Sequence, residues 1–75
     1  MKIHARVNKA LTVVFIEKQT DDGPIPIELK EAKRIYNDGD ITGSNLCFQA
    51  LIAADFDTKK VLKHYRESRE ELASE

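Results

Sequence analysis

Residues 1–8 alternate. Ile3, Ala5 and Val7 fall on one side of an extended chain, and Lys2, His4, Arg6 and Asn8 fall on the other. That period of two predicts a strand with one buried and one wet face, His4 lying on the wet one. A second strand is expected over residues 11–19, where Val13, Val14, Phe15 and Ile16 are β-prone and continuously apolar. Such a run suits a strand covered on both sides, at least locally. Asn8, Lys9 and Ala10 between the two are short enough for a hairpin turn, although the Asn-Gly signal is absent. A two-stranded hairpin is not stable alone, so this one must pack on helices or on a third strand.

The pattern then changes. Asp21-Asp22-Gly23-Pro24-Ile25-Pro26 carries turn chemistry and two prolines, and residues 21–26 read as a loop between a β half and an α half. Residues 27–37 follow a helical period: Leu29, Ala32, Ile35 and Tyr36 share one side, and Lys30, Lys33 and Arg34 face away. Glu28 and Glu31 lie at the start and the bases toward the end, as the helix dipole prefers. Asn37, Asp38 and Gly39 stop this helix, Gly39 being able to adopt a left-handed cap. Asp40-Ile41-Thr42-Gly43 is a tight connector.

Residues 44–56 form the stretch on which everything else should pack. Nine of the eleven residues from Leu46 to Phe56 are apolar. Three alanines, two leucines and a single β-branched residue, Ile52, favour a helix, with Ser44 as its N-cap. It would be apolar on nearly every side, which a helix tolerates when it is buried or has partners on more than one face. Ala50, Ala53 and Ala54 would let neighbouring backbones come close. The alternative is a third strand over residues 45–54, giving ββαβα, because short apolar runs are not typed by periodicity alone. The stretch is too short to span a membrane, which takes roughly 20 apolar residues. Asp57 looks like a further N-cap, and the last helix is expected over residues 58–72. Its apolar stripe of Val61, Leu62, Tyr65 and Leu72 is narrow. Lys63 with Glu67 and Arg66 with Glu70 are spaced for i,i+4 pairing, and the last few residues are expected to fray, because Glu70, Glu71 and Glu75 oppose the dipole.

At 75 residues the chain makes one small domain, organised as a hairpin in residues 1–20, a loop in 21–26 and a helical part in 27–75. A chain of this size buries only ~60% of its unfolded surface, and disulfides, metals or oligomerisation usually help it. The one cysteine, Cys47, excludes an internal disulfide, and no Cys/His cluster suggests zinc. Self-association as a homodimer stays open as the remaining help. The net charge of −1 exerts no global pull on nucleic acid or an anionic membrane. Its placement is uneven: +3 over residues 1–20, −5 over 21–57 and +1 over 58–75. A bipolar molecule can offer an acidic face to one partner and basic ends to another. The start has no apolar signal-peptide core, and a lone cysteine fits a reducing compartment, so the expected location is the cytoplasm.

Candidate chemistry adds little. Asp38-Gly39-Asp40-Ile41-Thr42-Gly43 resembles the first half of an EF-hand calcium loop, with oxygens at its first, third and fifth positions and glycine at its sixth. Gln49 stands where the bidentate glutamate belongs, so the segment reads as a turn between helices and no metal ligand is assigned. Cys47 lies in the oiliest segment, where cysteine acts as a small hydrophobe and not as a thiolate partner of His4 or His64. No phosphate-cradling glycine loop, HExxH pair or nucleophile elbow is present, and no catalytic residue or cofactor is expected. Lys59, Lys63 and Arg66 share one face of the last helix at i, i+4 and i+7, with Tyr65 beside them, a row able to meet phosphates or a partner's acids.

Ile25-Pro26-Ile27-Glu28-Leu29, a helix, a glycine-containing turn, Ser44 and an apolar helix resemble the strand–helix–turn–helix order of ribbon–helix–helix repressors over roughly residues 25–56. The resemblance implies a dimer whose short strands pair and read the DNA major groove. Here the candidate strand holds Pro24 and Pro26 and no base, the surrounding region is net −5, and the family does not account for the N-terminal hairpin.

The expected fold is therefore α+β: an N-terminal β-hairpin followed by three helices packed around a buried central helix. The expected function is a non-enzymatic protein–protein interaction module acting as an adaptor, inhibitor or regulatory accessory protein, and the second reading is a dimeric DNA-binding regulator. The partner is expected to be another protein or a second copy of the chain, with nucleic acid left open by the second reading and no membrane. It would meet Lys59, Lys63 and Arg66 on the last helix, and Asp21, Asp22, Asp38 and Asp40 in the acidic turns.

Overall fold

The alternation of the first eight residues becomes β1 (Lys2–Val7), which pairs antiparallel with β2 (Val14–Thr20). The computed structural model describes the backbone of residues 1–73 and the side chains of residues 1–69. Beyond the hairpin come β3 (Gly23–Ile27), α1 (Leu29–Asn37), the two-residue β4 (Gly43–Ser44), α2 (Leu46–Ala53) and α3 (Thr58–Ala73). The sheet runs β3-β2-β1-β4, with β4 parallel to β1. The chain is thus α+β, a four-stranded sheet with three helices.

Register decides which face is buried. Ala5 sits opposite Ile16, and Ile16 opposite Ile27. Ile3, Ala5 and Ile16 join Ala32 and Ile35 of α1, Phe48 and Leu51 of α2, and Phe56 and Val61 in one core. The helices therefore lie on one face. The other face carries Lys2, His4, Arg6, Phe15, Glu17, Gln19, Pro24 and Pro26, none of which enters the core. Double coverage of β2 does not occur: Phe15 is 39% exposed, with the Arg6 guanidinium over its ring, 4.4 Å from the centroid.

Three expected boundaries move. The hairpin loop is longer than three residues, spanning 8–13. Asn8 Oδ1 accepts from the Thr12 and Val13 N–H groups at 2.8 and 2.9 Å, and Leu11 sits at φ 56. Side-chain bonds of this kind offer the backbone an alternative to the ladder, so β2 starts late. Second, residues 21–26 are not a loop. Only Asp21 and Asp22 form the tip, Gly23 absorbs the reversal at φ 110, and β3 follows. Its prolines fit because β3 is an edge strand. Pro24 faces Gln19 and Pro26 faces Glu17, so both missing N–H groups lie at alternate positions and point outward, while Gly23, Ile25 and Ile27 bond to β2. Third, α1 begins at Leu29, because Ile27 is used in the sheet.

The oily stretch is a helix and not a third strand: residues 46–53 are α2. Its cap is Asn45 and not Ser44, which belongs to β4. Asn45 Oδ1 accepts from Phe48 N–H at 3.0 Å and from Ala5 N–H at 3.0 Å, and its Nδ2 donates to the Ala5 carbonyl. One side chain therefore starts α2 and continues the β1 edge where β4 ends. Asp57 does cap α3, its Oδ1 accepting from the Lys59 and Lys60 N–H groups at 3.0 and 3.3 Å. Between the helices, Asp55 and Phe56 stand at φ 56 and 61. That left-handed pair turns the Phe56 ring back between Tyr36 and Phe48, 5.6 and 6.0 Å away between centroids. Gly39 takes the expected left-handed position at φ 77. The Leu72, Glu70 and Glu71 side chains and residue Glu75 lie outside the described residues, and so does the expected fraying.

Candidate functional site

The acidic residues gather at one end of the sheet. Asp21 and Asp22 form the β2–β3 tip, just beyond the pairing of Gln19 with Lys2. Asp38 and Asp40 lie in the turn after α1, where the Asp40 carbonyl accepts a bond from the Met1 amino group and the Thr42 N–H bonds the Met1 carbonyl at 2.9 Å. All four are exposed. Asp38 is 3.7 Å from Arg34, an exposed ion pair that contributes little to stability. The EF-hand-like segment leads into β4 and not straight into a helix, and Thr42 Oγ1 accepts from the Met1 amino group at 3.3 Å.

The base row of α3 is only partly what its spacing predicts. Lys59 and Lys63 are exposed, Lys63 Nζ lying 4.0 Å from Glu67. Arg66 instead folds against the hairpin loop: Nε and Nη2 both donate to the Leu11 carbonyl, at 3.1 and 2.9 Å. Arg69 Nη1 donates to the Lys9 carbonyl at 3.0 Å. These two arginines staple α3 to the end of the sheet opposite the acids, across a strand length of about 20 Å.

On the open sheet face, Arg6 lies over Phe15, and its Nε donates to Glu17 Oε1 at 3.2 Å. Arg6 and Glu17 thus pair with each other on that face. Tyr65 packs against the core edge. Burial pushes its hydroxyl up to about 12, and the Cys47 side chain beside it adds to the shift.

The feature that periodicity missed lies on α2. Phe48 and Leu51 are fully buried, whereas Leu46, at the start of the same helix, is 81% exposed. Leu46, Ala50 and Ala53 recur at i, i+4 and i+7 and form the side of α2 away from the sheet. Beside them an open groove runs between α2 and α3, lined by Ala50, Ala53, Ala54, Lys60, Val61 and His64. In a helix apolar all round, nothing in the sequence marks which side is left uncovered. Among the described residues Leu46 is the one exposed leucine, and its exposure is fixed once the sheet has chosen its side.

Among the described residues no cluster of three or more His, Cys, Asp or Glu side chains is spaced to hold a metal ion, and no helix is long and apolar enough to cross a membrane. Comparison with protein-family models, curated proteins and solved structures finds no match to the chain.

Proposed function

We propose that the chain is a small non-enzymatic protein-binding module, acting in the cytoplasm as an adaptor, inhibitor or regulatory accessory protein. The observation that carries this reading is Leu46, 81% exposed at the head of an uncharged helix face, beside an apolar groove. A leucine so placed costs hydration that burial against a partner would recover, at about 25 cal/mol per Å². The acid end and the lysines of α3 give that partner an orientation, since complementary charge sets register and encounter rate more than affinity. The unpaired Cys47 thiol fits a reducing setting. The DNA-regulator reading gains no such support. Residues 25–27 are committed to pairing with β2, and the prolines leave the outer edge of β3 without two of the donors that a mate strand would need.

The test is affinity capture with quantitative mass spectrometry, comparing the natural chain with Leu46→Glu, with Lys59→Glu/Lys63→Glu, and with Asp38→Lys/Asp40→Lys. Arg66 is left untouched, because its guanidinium holds the Leu11 carbonyl. At least one folded variant should lose a specific partner. Capture identical to the natural chain by all three would refute the reading. Salt-dependent binding to duplex DNA by anisotropy would instead favour the regulator.

A further inference from the structure

We propose that the cavity between the hairpin loop and residues 65–69 of α3 binds a small apolar carboxylate. This goes beyond the protein-binding reading and uses a different surface. Among the described residues, Val7 and Leu11 are half-buried yet neither belong to the hydrophobic core nor pack against it. Both line this cavity, together with the Tyr65 ring. Leu11 stands there under strain. Its backbone is left-handed at φ 56, a conformation that glycine adopts freely and that crowds any residue with a Cβ. The core does not explain a leucine at that position; the cavity wall does, because the side chain forms part of it.

The walls are set before any ligand arrives. Asn8 Oδ1 accepts from the Thr12 and Val13 N–H groups, and the Asn8 carbonyl accepts from the Leu11 N–H at 3.0 Å. From the helix side, Arg66 and Arg69 hold the Leu11 and Lys9 carbonyls. A site fixed in this way loses little freedom on binding. It encloses about 380 Å³, within the ~300–1,000 Å³ of small-molecule sites. At ~30 Å³ per water that equals roughly a dozen waters, room for a ligand of about ten heavy atoms.

Charge names the class of ligand. Lys9 and Arg69 bring two positive charges to the lining, Asn8 and Ser68 are polar, and no carboxylate is present among the described lining residues. The Tyr65 hydroxyl, its pKa pushed up to about 12, adds no anion at neutral pH. Glu17, the one acid of residues 1–20, pairs with Arg6 on the open sheet face. Glu67 lies against Lys63. Arg69 has no acid three or four positions away on either side along the helix. A guanidinium carries five N–H donors in a planar fork that fits a carboxylate, and the Lys9 carbonyl takes one of them. An apolar floor beneath two cations is the complement of an apolar body ending in a carboxylate.

The full chain, isotope-labelled for NMR, is titrated with sodium octanoate and separately with octylammonium chloride. Octanoate should give saturable shifts at Val7, Lys9, Leu11, Ser68 and Arg69 with a Kd of about 1 mM. Octylammonium should bind at least about tenfold more weakly. Lys9→Gln keeps the backbone carbonyl that Arg69 holds and should weaken octanoate about three- to tenfold. Leu11→Gly separates binding from folding: it should abolish the octanoate shifts and leave Tm unchanged or higher, because glycine relieves the backbone. Binding lost only together with a lowered Tm would make Leu11 a structural residue and overturn the proposal. So would octanoate binding that survives Leu11→Gly, equal binding of the two amphiphiles, shifts mapping to the α2–α3 groove, or no saturable shift at about 10 mM octanoate. The capture variants lie outside this cavity, so either reading can fail without the other.

Discussion

Asn45→Ala tests how the sheet and α2 are joined. The Asn45 side chain makes three bonds, one to the Phe48 N–H and two to the Ala5 backbone. Loss of the cap alone costs about 1 kcal/mol, with a range of roughly 0.5–2. Loss of the Ala5 pair removes two bonds worth about 1 kcal/mol each and leaves a donor and an acceptor unpaired in a residue that is nearly fully buried, a penalty of ~1–3 kcal/mol per group when water stays out. These two bonds are only partly buried, which places the total near the lower end, about 3 kcal/mol. A domain of this length has roughly 4–11 kcal/mol of stability in all, so the substitution removes a large share of it. It should lower Tm by about 10–25 °C. Urea denaturation followed by circular dichroism gives the magnitude, and amide exchange at Ala5 and Phe48 locates it. Asn45→Asp keeps both acceptor roles and adds a favourable charge at the helix start, but sets a carboxylate against the Ala5 carbonyl. Asn45→Ser keeps the cap alone. Both should fall between the natural chain and Asn45→Ala. A loss below about 1 kcal/mol for Asn45→Ala would mean that the residue is an ordinary cap. A full loss with unchanged exchange at Ala5 would equally refute the bridging role.

Pro24→Thr/Pro26→Thr restores two outward N–H donors on β3 and should produce concentration-dependent association by edge pairing, read by light scattering; a chain that stays monomeric at all concentrations would show that the prolines do not guard the edge. Asp55→Gly relieves a left-handed φ of 56, a strain of roughly 1–2 kcal/mol, against roughly 0.5–1 kcal/mol of added chain entropy, and should raise stability by up to about 1 kcal/mol, whereas Phe56→Ala, which empties a buried aromatic site at the same turn, should cost about 3–5 kcal/mol. The raised Tyr65 pKa makes stability depend on pH at the alkaline end. The unfolded chain ionises near the ordinary value of 10.0 and the folded chain at about 12, so the contribution is complete below pH 10 and is lost as pH rises toward 12. Absorbance titration of the phenolate should show this midpoint, and Cys47→Ala should lower it; a midpoint unmoved by that substitution would leave burial as the sole cause.

Part of this protein is written in local pattern. The alternation of Ile3, Ala5 and Val7 determined β1 and its buried face. Helical spacing determined α1, and the run of small and unbranched apolar residues determined α2. Asp57 was legible as a cap because its side chain bonds only two and three residues onward. Gly39 was legible because few other residues take its φ. The exposure of Lys59, Lys63 and the four turn aspartates follows from their charge.

Other features belong to the tertiary structure alone. Two prolines read as a loop until the chain places them on an edge, where their missing donors face outward and cost nothing. β4 has no pattern of its own and is a strand only because β1 lies beside it. Asn45 outranks Ser44 as the cap because it also reaches Ala5, 40 residues away in sequence. Arg66, apparently one of three bases on a solvated helix face, is spent on Leu11, 55 residues away. The candidate groove was hidden for the same reason. Periodicity records which residues share a side of one element, but a helix apolar on every side has no preferred one. The sheet buries Phe48 and Leu51, α3 packs alongside, and the side that remains uncovered is decided by those long-range contacts.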